Sequence, residues 1–135
     1  MLGLMAEEPI AFLRADGRQP ARTISGGGGG GIRKSAVRFD RRELAQILRV
    51  YGRMVSASEW RDYAIDFLLD RAVFSVFRHA SEMLLYTIEK QPELKARQGE
   101  YAVLTASGHL LRRGRDLSQV LRFFDRKLLM ALENA

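Results

Sequence analysis

The chain has 135 residues, is 47% hydrophobic and carries a formal net charge of +6, which suits one domain with a real core and leaves no room for two domains and a linker. It contains no cysteine, so disulfides, thiolate nucleophiles and cysteine-based zinc sites are excluded. From Ala36 to Ala135, 17 Lys and Arg stand against 13 Asp and Glu, a surplus of +4, and the first 35 residues add +2; a surface of such mixed sign serves solubility and encounter without specifying a ligand.

Residues 1–34 read as a disordered tail with a glycine-rich linker. Pro9 interrupts the opening apolar stretch, Arg, Ser, Gly and Pro follow it, and Gly26 to Gly31 form an uninterrupted glycine run that holds no fixed conformation cheaply. A G-x-G-x-x-G pattern can be drawn from that run, but no strand precedes it, so its context for dinucleotide binding is missing. Glu7 and Glu8 occupy the place where a signal peptide needs its apolar core. Charged residues interrupt every apolar run before the roughly 18–20 residues needed to cross a bilayer. A soluble, cytoplasmic protein without membrane association is the expectation.

Residues 35–135 read as a single α+β domain. Val37 and Phe39 flank Arg38 in a short strand or extended arm. Asp40 and Glu43 then have capping-box spacing, and Leu44, Ile47, Leu48, Tyr51, Met54 and Val55 recur on one helical face. Ser56 to Ser58 mark the end of that helix. The stretch from Trp60 to Lys90 predicts three strands. The first alternates Tyr63, Ile65, Phe67 and Leu69 against a wet face of Asp62, Ala64 and Asp66; a turn follows at Asp70 and Arg71. Ala72 to Phe77 is apolar on both faces, which suits a central strand, and Met83 to Lys90 forms the third, ending before Pro92. Pro92 to Glu100 is one helical turn or a loop. A last hairpin turns at Ser107 and Gly108. Asp116 with Gln119 repeats the capping spacing before a final helix whose stripe is Leu117, Val120, Leu121, Phe124, Leu128 and Leu132. The fold expected is an antiparallel sheet of about five strands with an amphipathic helix packed on it from each end of the domain.

The phrases WRDYAIDFLLDRAVFSVFRHASEM and RGRDLSQVLRFFD carry a resemblance that covers roughly Val37 to Lys127. On them the chain resembles domain-of-unknown-function family 2794, small proteins of alphaproteobacteria. The resemblance implies a soluble bacterial protein and transfers no activity, cofactor or ligand to any residue.

Catalysis finds little support in the residues. His79 and His109 lack a second ligand at a metal-binding spacing and read as hairpin-end surface residues. Ser75 has no base in a recognisable arrangement. Asp62, Asp66 and Asp70 would lie about 13 Å apart from pair to pair along a strand, too far for a carboxylate dyad. No catalytic residue, metal or cofactor is assigned. Two binding surfaces remain. Arg38, Arg41 and Arg42 before the first helix, with Arg112, Arg113 and Arg115 before the last, could join side-chain charge to free helix amides and hold phosphate or another anion. Trp60, Arg61, Tyr63 and Phe123 are residue types that anchor protein interfaces. A non-catalytic module that binds a protein partner or a second copy of itself asks least of the sequence; binding of nucleic acid or another polyanion through the arginines is the alternative.

Overall fold

A computed structural model describes residues 11–14 by their backbone and residues 35–78 and 83–133 in full. The described elements are β1 (Ala11–Arg14), α1 (Arg41–Ser56), β2 (Asp62–Phe67), β3 (Ala72–Phe77), β4 (Leu84–Lys90), β5 (Tyr101–Thr105), β6 (Leu110–Gly114), α2 (Leu117–Leu121) and α3 (Phe123–Glu133), with a single 3-10 turn at Pro92–Leu94. The strands form one antiparallel meander in chain order. Five of them are the strands expected from the sequence.

The sixth is β1, which pairs on the outer side of β2 and comes from the stretch read as a tail outside the domain. An edge strand offers a row of unpaired amides and carbonyls, and the extended Ala11–Arg14 backbone satisfies part of it. The glycine run lies outside the described residues.

Cross-strand register sorts the side chains. Ile65, Phe74, Ile88 and Val103 stand in one row, and all four are buried in a common cluster with Ile47, Val50 and Met54 of α1 and Leu117, Val120, Leu121 and Phe124 of the C-terminal helices. The helices therefore cover this face. Both faces of Ala72–Phe77 carry apolar residues because β3 lies inside the sheet, paired with β2 and β4 along its length. Ala36 to Asp40 is an extended arm, with the Val37 amide donating to the Leu68 carbonyl at 2.8 Å and Phe39 buried in the core.

The final helix departs from the expectation of one continuous element. Asp116 caps it by accepting from the Ser118 amide at 3.0 Å, and no reciprocal bond from Gln119 forms. The helix then resets at Arg122. Phe123 and Phe124, the first two residues of α3, both pack edge-on against Tyr86, with centroids 5.9 and 5.3 Å away.

The loop from Gln91 to Glu100 closes against the end of β6. Gly99 has φ +108°, and a Cβ there would collide with the backbone of Gly114, so only glycine permits this approach.

Candidate functional site

The start of α1 is bound into the sheet beneath it. Asp40 accepts from the Glu43 amide and Glu43 Oε1 accepts from the Asp40 amide, both at 2.8 Å, completing the expected capping box. Glu43 does more than cap. It is buried, it takes a 2.8 Å hydrogen bond from Lys90 Nζ, and its other carboxylate oxygen accepts from the Tyr101 hydroxyl. Lys90 also donates to the Arg38 carbonyl at 2.9 Å. Burial first, and then the bond to Glu43, hold the Tyr101 phenol far above its usual range, so it remains a proton donor.

The arrangement changes what the first arginine group can do. Arg38, Arg41 and Arg42 are exposed, and the Arg38 guanidinium lies over the Phe67 ring, 4.9 Å from its centroid. Two amides at the helix start, those of Asp40 and Glu43, however, already have carboxylate partners, which place negative charge there. The second group is engaged with carbonyls. Arg113 is half-buried and bonds Gly99 O at 3.1 Å and Gln91 Oε1 at 3.3 Å; Arg115 bonds Lys95 O and Ala96 O, each at 3.1 Å; Arg112 bonds Gln119 O at 3.3 Å. Arg113 and Arg115 thus clamp the loop that Gly99 closes. Both groups lie toward one end of the sheet, because the row Phe67, Ala72, Lys90, Tyr101, Gly114 runs across it. Between them stands the Lys90–Glu43 pair, where the charges cancel.

The proposed interface anchors separate in the same way. Trp60 is 1% exposed and packs edge-on against Phe124 at 4.9 Å, which corrects its assignment to a partner surface: it is a core residue, drawn inward because the end of α1 and the start of β2 enclose it. Tyr63 is half-buried, stacked on Phe74 at 4.8 Å and edge-on to Tyr51 at 5.0 Å. Arg61 is exposed and its amide pairs with Phe77 O. Phe123 lines a surface groove, and the buried Trp60 borders a separate depression.

The face of the sheet away from the helices is less wet than the alternation predicts. Asp62 is 3% exposed, with Oδ1 accepting from the Tyr63 amide at 2.8 Å, and Ala64 is buried beside it. β3 pairs with β2 from Asp62 to Phe67, and β1 pairs with it from Ala64 to Phe67. Asp70 sits beyond the strand and pairs with Arg71 at 3.5 Å. Burial pushes the Asp66 carboxyl up to about 6. A raised carboxyl means that the unfolded chain releases its proton first, so Asp66 lowers stability as pH climbs from about 4 through 6 and keeps it lower above. Asp66→Asn is expected to stabilise the fold by about 1–2 kcal/mol above pH 7, the linkage value being reduced by the water that a half-buried carboxylate still meets. Near pH 4 the gain should vanish; urea unfolding at both pH values measures the difference.

His109 is exposed in the β5–β6 hairpin, its Nδ1 3.3 Å from Ser107 Oγ; His79 lies outside the described residues. Among the described residues no group of three or more His, Asp or Glu could hold a metal, and no helix is long and apolar enough to cross a membrane.

The most distinctive surface is one that the sequence reading passed over. Between β6 and α3 lies a groove of about 490 Å3 lined by Leu111, Arg112, Arg122, Phe123, Arg126, Lys127 and Met130. Phe123, Arg126, Lys127 and Met130 follow i, i+3, i+4, i+7 spacing and so share one side of α3. That spacing is the signal that could have found them. In the groove, Leu111 and Met130 are 37% and 52% exposed; Leu110, Leu129 and Leu132 are exposed elsewhere on the same two elements. The outward position of Leu132 also corrects the stripe assigned to the last helix, which is buried at Leu117, Val120, Leu121 and Phe124 and half-buried at Leu128.

The model of one protein family, described as Protein of unknown function (DUF2794), matches residues 37–121. No curated protein and no solved structure gives a significant match.

Proposed function

The chain belongs to the DUF2794 family, and we propose that it is a non-catalytic binding module that engages a protein partner through the surface shared by β6 and α3. The observation that carries this reading is the groove between these two elements, where exposed Leu111 and Met130 meet half-buried Phe123. Leaving such side chains in water forgoes roughly 25 cal/mol for each Å2 that a partner would cover, and contiguous apolar surface on a small domain marks interaction sites.

The alternative is a polyanion held by Arg38, Arg41, Arg42, Arg112, Arg113 and Arg115. It draws less support, because carboxylates fill both helix starts and Arg113 and Arg115 direct N–H groups at backbone carbonyls. The test is affinity capture of the tagged full chain from lysate of its source cells, with and without nuclease, beside a Leu111→Asp/Met130→Asp variant whose thermal unfolding is unchanged. A defined protein captured by the parent chain and lost with the variant supports the reading. Equal capture by both overturns it, as does recovery of nucleic acid alone without nuclease.

A further inference from the structure

Resting on that reading, we infer that the β6–α3 groove takes an acidic amphipathic segment of the partner, with apolar side chains against Leu111, Phe123 and Met130 and carboxylates on Arg112, Arg122, Arg126 and Lys127. The lining combines three apolar residues with four cations and no carboxylate. Arg122 and Arg126 make no ion pair among the described residues, and Lys127 rests over the Phe123 ring, 5.7 Å from its centroid. Asp125, the acid nearest in sequence, lies outside the groove, in a neighbouring depression that Arg122 also borders, and pairs with Arg53 of α1 at 3.9 Å. The cations therefore lack a counter-charge that a partner can supply.

Two other occupants fit less well. A second copy of this chain would bring the same unopposed cations to a two-fold contact, where like charges oppose, and its own net charge is +6. A single strand held by base stacking would need an open aromatic face, but Lys127 covers Phe123, whose ring also packs edge-on with Tyr86 and Phe124. Leucine and methionine flanks suit the apolar anchors of a peptide, spaced i, i+3, i+4, i+7 on a helix.

The experiment titrates the full chain with a synthetic peptide of that spacing, leucines on one side and glutamates on the other, beside a peptide with lysine in place of every glutamate and a single-stranded oligonucleotide. The acidic peptide should bind at least about tenfold tighter than the lysine peptide and weaken as salt rises. Arg122→Glu/Arg126→Glu, at two exposed positions, should lose about tenfold or more for the acidic peptide with unfolding unchanged. Equal binding of both peptides, with Met130→Asp abolishing both, would overturn the acidic preference and leave the docking surface standing. Binding of neither peptide, or tighter binding of the oligonucleotide, would overturn the inference, while lysate capture judges the protein-binding reading separately.

Discussion

Replacing Glu43 with alanine is expected to cost the fold about 3–5 kcal/mol, read as the loss of unfolding free energy in urea. Glu43 serves three partners at once: the Asp40 amide, the Lys90 ammonium and the Tyr101 hydroxyl. Its side chain and that of Lys90 are only 9% and 15% exposed. Truncation leaves the Lys90 charge buried with the Arg38 carbonyl as its remaining acceptor among the described residues, and an unpaired buried charge costs far more than the net value of the pair. It also frees the reciprocal half of a helix cap, worth about 1 kcal/mol. Glu43→Gln keeps a side-chain oxygen for the Asp40 amide and loses the charge, so it should fall between the parent and the alanine variant. A loss below about 1 kcal/mol for Glu43→Ala would place the pair among solvent-screened surface bridges.

Trp60→Ala should be comparably damaging, at about 3–5 kcal/mol. The indole lies among Tyr51 and Phe124, with ring centroids 6.1 and 4.9 Å away, and it connects the end of α1 to α3 across the first residues of β2. Removing it widens a depression of about 260 Å3 that already lies under α3 beside Tyr86 and Met130, and the lost contacts have nothing to replace them. Trp60 is the one tryptophan, so its emission follows unfolding of the parent chain directly, while far-UV circular dichroism serves for the variant. Were Trp60 an interface anchor at the surface, the substitution would leave stability within about 0.5 kcal/mol and act on partner capture alone.

Both variants probe contacts that only the folded chain reveals. Glu43 was legible as half of a capping box, because Asp40 stands three residues before it, but Lys90 and Tyr101 lie 47 and 58 residues away in sequence. Phe123 was noticed because it fell off the helical stripe. Arg122, Arg126, Lys127 and Met130 were not, since exposed helix positions with charged residues read as an ordinary solvated face. Only their convergence on Leu111 of β6 gives them a common use.

The sequence by itself determined the local elements. Capping spacing fixed the start of α1, alternation and its absence separated β2 from the interior β3, and the glycine at 108, with φ +92°, marked the last hairpin. Each of these depends on residues a few positions apart, where periodicity and backbone preference act directly. Tertiary structure decided the rest: the sixth strand on the β2 edge, the break of the last helix at Arg122, the packing of two phenylalanines against Tyr86, the burial of Trp60, the engagement of Arg113 and Arg115 with carbonyls, and the groove between β6 and α3. Periodicity states which side chains share a face; what meets that face depends on packing and charge pairing between segments far apart in the chain, which local spacing does not encode.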